Sequence, residues 1–321
     1  MEGILLFAVS LATLGSIYGM LCLALNLESG NGPLWDLGIV SFFGIGAYTY
    51  TLLTVDPAVS HQNFVLGLGL PIVVGAVAAA IAGGLAAWLI GLPTLRLKRE
   101  YFLIVTLAFA EVLRQVYVNE TWLTNGVAGI YGLRQPFKSM VSAQNYSYVL
   151  LALTLLGLAA TWAVTHRISA SPFGRACKAL RENEALAITA GIDPRKTSMR
   201  LFIVAGMISG AAGMFYVWYN TLVIPGQFTS DLTFFVWAAL IIGGMGNQKG
   251  ALIGGFVFIL LHDMLRFVQV SGEMAVTLTS LRTAVIGLAL ILILRFRPDG
   301  LLAERPTKFD LPSIKGAARD A

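Results

Sequence analysis

Charge is scarce in this chain: Asp, Glu, Lys and Arg make up 12% of its 321 residues, against 57% hydrophobic residues. Soluble domains carry roughly a quarter of their residues as charge, so the deficit excludes an ordinary soluble domain before any motif is read. Cysteine is nearly missing, and Cys22 and Cys177 supply neither a disulfide framework nor a metal-ligand cluster. Histidine is limited to His61, His166 and His262, far apart and without HExxH or CxxC company. No GxxxxGK[ST] occurs. The nearest run, GGMGNQKG over 243–250, puts Gly after Lys249, which leaves no loop to cradle nucleotide phosphates and excludes ATP hydrolysis by this chain alone. No nucleophile–base–acid set assembles from the sequence, and a membrane-embedded enzyme would need His, Cys or acid residues clustered near one face.

Long apolar runs fill the space that charge leaves. They fall at 4–27, 37–55, 65–92, 101–123, 146–165, 201–224, 232–246, 250–268 and 283–296. About 20 apolar residues cross a bilayer, so the pattern predicts an all-α polytopic membrane bundle of about 8–10 transmembrane helices, one domain over 1–321. The first run follows Met1-Glu2-Gly3 with no basic stretch, which predicts a retained span and not a cleaved signal. Ser29-Gly30-Asn31-Gly32-Pro33 interrupts the pattern, and the segment 28–46 reads either as an ordinary loop or as a broken, re-entrant helix lining a pathway. A second Gly/Pro-interrupted stretch lies at 221–246, as in transporters built from inverted repeats. Gly15/Gly19, Gly206/Gly210 and Gly246/Gly250/Gly254 each share a helical face. Small-residue faces let helices approach closely, within the chain or against another subunit.

The net charge of +5 is confined to short segments beside apolar runs, which points to a lipid bilayer and not to nucleic acid. Arg96, Lys98 and Arg99 mark one cytoplasmic loop, segment 166–200 another, and Arg295, Arg297, Arg305 and Lys308 place the polar tail 303–321 on the same side. Segments 56–63 and 225–231 lack Lys and Arg and face out, and nine spans then put the N-terminus outside. Glu111 and Arg114 lie three apart within the fourth span. At that depth they read as a structural ion pair facing the bundle or a partner, or as part of a solute path. His262 and Asp263 in the eighth span read as lying near an interface or in the bundle interior.

The most informative stretch is SPFGRACKALRENEALAITAGIDPRKTSMRLF, from Ser171 to Phe202. Ser171-Pro172 starts a helix, Gly191 and Asp193-Pro194 stop it, and Ala176, Leu180, Glu184 and Ile188 share a face, with Arg181 and Glu184 three apart. This short amphipathic helix reads either as a segment snorkelling at headgroups or as a coupling helix that docks into a groove of another protein.

The first part of that run, SPFGRACKALRENEALAITAGID (171–193), together with SFFGIGAYT (41–49), LPTLRLKREYFLIVTLAFAEVLR (92–114), TNGVAGI (124–130), GGMGNQKGALIGG (243–255) and LRFRPDGLL (294–302), resembles the permeases of branched-chain amino-acid type ABC transporters, in the same order along most of the chain. The pattern is most similar to the larger of the two permease subunits. The resemblance implies a bacterial inner-membrane importer subunit whose partners are a second homologous permease, two cytoplasmic ATPases and a periplasmic solute-binding protein. It also implies that ATP and Mg sit on the partners and that no cofactor binds this chain. It carries ATPase coupling over to Arg175, Arg181, Glu182, Glu184 and Gly191. Asn125, Gly126 and Asp231 on the outer face are expected either to dock the binding protein or to be solvated. Where the family commonly has a Gly-His pair, this chain reads Leu37-Gly38-Ile39-Val40-Ser41, after the unusual Gly30–Asp36 loop. The expected solute is a branched-chain amino acid, with urea, short amides and small organic acids as alternatives. The rival class is an ion-coupled secondary carrier, which needs membrane carboxylates near interrupted helices; Glu111 is the only one that qualifies in this reading.

Overall fold

The computed structural model describes residues 2–57, 64, 66–142, 145–264, 284, 287–288, 291–292, 295–297 and 299–304. Its helices run α1 (Glu2–Leu25), α2 (Ile39–Thr54), α3 (Ile72–Thr94), α4 (Arg99–Asn119), α5 (Thr121–Thr124), α6 (Tyr146–Ala170), α7 (Pro172–Glu182), α8 (Glu184–Thr189), α9 (Pro194–Asn220), α10 (Ser230–Gly243) and α11 (Gln248–Met264). Among the described residues six helical segments are long and apolar enough to cross a membrane, and α2 is a shorter apolar helix. Eight of the nine predicted spans fall on helices. The ninth, at 283–296, lies largely outside the described residues, as do most of 56–63 and of the tail 303–321.

Two boundaries move for local reasons. The third span starts at Ile72 and not at 65, because Gly69 has φ +58° and the amides of Gly69 and Leu70 pair with the carbonyls of Val55 and Leu53 at 3.0 and 2.9 Å. The sixth span starts at Pro194. Asp193-Pro194 therefore begins α9: the Asp193 carboxylate accepts from the amides of Arg195 and Lys196, both at 3.1 Å, and Pro194 fits the first turn.

Helix α9 is the hub, packed against α3, α2 and α1. It can sit there because its inward face is small: Gly206 and Gly210 lie against Ala79, Gly83 and Ala87 of α3, and Gly213 against the backbone of Phe43 and Ala47 in α2. Gly15 and Gly19 likewise meet Phe256 and Leu158, and Gly250 and Gly254 meet Gly243, so these faces are spent on packing within the chain. A Cβ on Gly210 would lie 2.5 Å from the Ala79 carbonyl oxygen. Gly210→Val is expected to cost about 1–3 kcal/mol by overpacking, read as a lowered melting temperature and a broadened peak on detergent gel filtration; a variant that elutes and melts like the parent would contradict this packing.

A two-residue antiparallel pair, Ile130–Tyr131 with Leu222–Val223, ties the connection after α4 to the end of α9. It marks one end of the bundle. The other end carries the turn at 95–98, the α7–α8 hairpin and the start of α11, and is called the basic end below.

Candidate functional site

At the basic end α1 does not stop cleanly. Its last turn widens into a π-helical segment, Asn26–Gly30, and residues 31–38 then run without regular structure before α2 begins. This stretch is buried or half-buried throughout. Irregular backbone survives at such a place only if the protein itself satisfies its polar groups. It does so here. Asn26 Oδ1 accepts the Gly246 amide at 2.8 Å, Thr106 Oγ1 accepts the Leu37 amide at 3.1 Å, and Asp36 Oδ1 accepts the Gly38 amide at 2.7 Å. Trp237 Nε1 donates to the Asp36 carbonyl at 2.7 Å, and the Asn31 side chain donates to Ser169 Oγ at 2.7 Å. The segment is therefore a broken helix and not an ordinary loop. Trp237 lies within α10, and Gly246 in the break between α10 and α11, so through the Asn26–Gly246 bond the two breaks in the chain touch.

Two acids bracket the break, and sequence reasoning missed both. Glu28 and Asp36 are fully buried. Neither oxygen of the Glu28 carboxyl has a hydrogen-bond partner, nor does Asp36 Oδ2, and Asp36 lies within electrostatic range of Glu28. Leaving a buried polar group unpaired costs about 1–3 kcal/mol, more if it is charged. The signal was present in the sequence: an acid on each side of a Gly/Pro-rich interruption. Glu28 and Asp36, and not Glu111 inside the unbroken α4, are the carboxylates beside a break.

Glu111 itself sits elsewhere. It pairs with Arg114 through Nε at 3.0 Å and Nη2 at 2.5 Å, on the outward face of α4. It does not line the bundle core.

The predicted single amphipathic helix after Ser171 is two helices. Ser171 caps α7, its Oγ accepting from the Gly174 amide at 3.2 Å. Asn183, extended at φ −154°, then breaks the run and caps α8 by accepting the Leu186 amide at 3.1 Å. The expected Arg181–Glu184 proximity gives no ion pair, because the break turns the two apart. Arg181 points inward instead. Its Nη1 donates to the Gly30 carbonyl, in the broken helix, and its Nη2 to Glu304 at 2.9 Å, while Lys178 reaches Glu304 at 3.4 Å. Beneath α7, Cys177 packs in one cluster with Leu27, Leu34 and Phe42, and burial pushes its thiol up to about 12.

Arg175, Glu182, Glu184 and Gly191 are exposed, and so are Leu186 (66%) and Ile188 (51%) on α8. Exposed apolar side chains on so short a helix suit a docking surface better than a solvated one. A groove of about 520 Å³ runs between the hairpin, the 95–99 turn and the start of α9, and Pro33 and Leu34 of the broken segment form part of its wall.

At the opposite end Asn125 and Gly126 are buried in a turn, with φ near +60° at both and the Asn125 side-chain Nδ2 donating to the Gly129 carbonyl at 2.6 Å. They shape the turn and present no surface for docking, whereas Asp231 is exposed at the start of α10. His262 Nδ1 lies 3.1 Å from Asp263 Oδ1. Among the described residues no group of three or more His, Cys, Asp or Glu converges as a metal site would require.

A helical bundle that is apolar on its outside, closely packed round a glycine-rich hub and broken inside its own core is a multi-pass membrane transport protein. Comparison with known proteins refines that class. The chain belongs to the family described as "Branched-chain amino acid transport system / permease component", which residues 7–294 match. It is 31% identical to the high-affinity branched-chain amino acid transport system permease protein LivM of Escherichia coli (strain K12), over 97% of this chain and 73% of that protein. The probable LivM permease of Methanocaldococcus jannaschii is 27% identical over 86% and 81% of the two chains. The LivH permease of Escherichia coli (strain K12) is 23% identical over 90% and 92%. No solved structure matches.

Proposed function

We propose that this chain is one of two homologous permease subunits of an ATP-driven importer, that its solute is a branched-chain amino acid, and that its basic end faces the cytoplasm. Relatives bearing both permease names, LivM and LivH, support a paired arrangement and this solute class. Clustering of Lys and Arg at one end supports the orientation. ATP and Mg are held by partner ATPases, and a solute-binding protein delivers the solute at the opposite end, where Asp231 is exposed.

The observation that carries the mechanism is the Arg181 link. The exposed side of the α7–α8 hairpin (Arg175, Glu182, Glu184 and Gly191) meets an ATPase. When the ATPases close, the hairpin moves as a body. Arg181, bonded to the Gly30 carbonyl, and Cys177, packed on Leu27 and Leu34, pass that movement to the broken helix. That helix bears Glu28 and Asp36 and touches α10 through Trp237. A rearrangement there opens the solute path at one end and closes it at the other, which is how interrupted helices serve transporters.

The test is affinity purification of the tagged chain from its native membrane, wild type against Glu184→Arg. Glu184 is exposed, so the substitution disturbs no packing. Wild type is expected to bring a second permease and two ATPases, and the variant to keep the permease while ATPase recovery falls about tenfold, as for reversal of an interface charge. A chain that purifies alone in both cases would overturn the importer and leave an ion-coupled carrier.

A further inference from the structure

We propose that the outward face of α4 is the surface that meets the second permease subunit; the inference rests on the paired-permease reading above. Helix α4 starts at Arg99 on the basic end, so Glu111 lies about 18 Å along it at 1.5 Å per residue, near the middle of a hydrocarbon core about 30 Å thick. At that depth the Glu111 side chain is 45% exposed and that of Arg114 25%. Gln115 donates to Glu111 at 3.2 Å and Asn119 to the Gln115 carbonyl at 2.9 Å, so a polar ladder climbs one side of the helix. A shallow groove of about 290 Å³ follows it.

The exposed faces of neighbouring spans are different. Helix α3 presents Val73, Val77, Ile81, Leu85 and Leu89 outward and has no charged residue anywhere along it. That composition suits lipid. The ladder on α4 does not, because hydrocarbon offers no partner to a half-exposed ion pair or to side-chain amides. Arg114 Nη1 has no acceptor among the described residues, so the pair is closed on one side only.

The occupant that fits is a homologous permease. Two related chains joined about an axis along the membrane normal bring equivalent helices together running the same way, with equivalent residues at the same depth. The unused donor of Arg114 and the exposed side of Glu111 then have acceptors and donors available across the interface.

The test places a benzophenone-bearing amino acid at Val112 on α4 (61% exposed) and, separately, at Val77 on α3 (54% exposed), in the complete importer in native membranes. Illumination is expected to join the second permease to the Val112 position and no protein to the Val77 position. In the same membranes Arg114→Ala is expected to lower recovery of the second permease about tenfold or more, as for loss of one member of a desolvated charge pair. Adducts with the second permease at Val77 but not at Val112 would overturn the assignment. So would an Arg114→Ala complex that assembles normally and has lost uptake, since that would put the pair in the solute path. If no second permease co-purifies with the wild-type chain, the importer reading fails too; if it co-purifies and α4 forms no adduct with it, only the interface fails.

Discussion

Glu28→Leu is expected to yield a protein that is more stable than the parent and does not transport. In the structure Glu28 is fully buried with both carboxyl oxygens unpartnered. An unpaired buried polar group costs about 1–3 kcal/mol, and leucine, of similar size and with no polar atom, removes that cost. The nearby packing of Leu27 and Leu34 with Phe42 and Phe202 is already apolar and has no need of a carboxyl. Natural sequences keep such a local conflict where function requires it. The requirement proposed here is that Glu28, with Asp36, finds partners when the broken helix rearranges. Thermal melting in detergent, followed by tryptophan fluorescence, is expected to shift upward. Uptake by vesicles holding the complete importer is expected to fall at least about tenfold, the equivalent of about 1.4 kcal/mol. Glu28→Gln keeps shape and hydrogen-bonding capacity and is expected to retain more uptake than Glu28→Leu. A Glu28→Leu protein that transports normally would reduce the carboxyl to a tolerated defect.

How much of this was legible in the sequence depends on the range of the interaction concerned. The spans were legible because apolar length is a local property: α1, α4, α6 and α11 fall where uncharged or weakly charged runs predict them. The break near residue 30 was legible as a break, since Gly30, Gly32 and Pro33 are the weakest helix formers, but not as a buried one. Its burial depends on partners at Thr106, Ser169, Trp237 and Gly246, which no local pattern links to it. Glu28 escapes a sequence reading because the apolar run ends at Leu27, one residue short of the acid, while the π-helical turn carries the helix on to Gly30. Periodicity alone carries a helix through Asn183, although its side chain competes with the backbone for the Leu186 amide and wins. Asp193-Pro194 signals both an end and a beginning, and its capping bonds decide for the beginning.

Arg181→Ala is expected to separate ATP hydrolysis from transport. The family resemblance gives Arg181 an ATPase-coupling role alongside Glu182 and Glu184, but its guanidinium faces the membrane bundle, holding the Gly30 carbonyl with one nitrogen and the Glu304 carboxylate with another. Two charge-assisted bonds of this kind are worth about 1.5–3 kcal/mol each, and only a planar fork reaches both at once. Removing them leaves the exposed Glu182 and Glu184 in place, so the ATPases are expected to co-purify at wild-type levels and to hydrolyse ATP in reconstituted vesicles. The hairpin, however, then moves against Cys177 packing alone, and uptake is expected to fall about tenfold or more. Arg181→Lys restores the charge but not the fork, and is expected to fall between the two. Simultaneous measurement of ATP hydrolysis and uptake checks the claim. Loss of the ATPases on purification of Arg181→Ala would return Arg181 to the docking surface beside Glu184. Unchanged uptake at unchanged hydrolysis would leave the broken helix to be driven through Cys177, which packs in one cluster with Leu27 and Leu34.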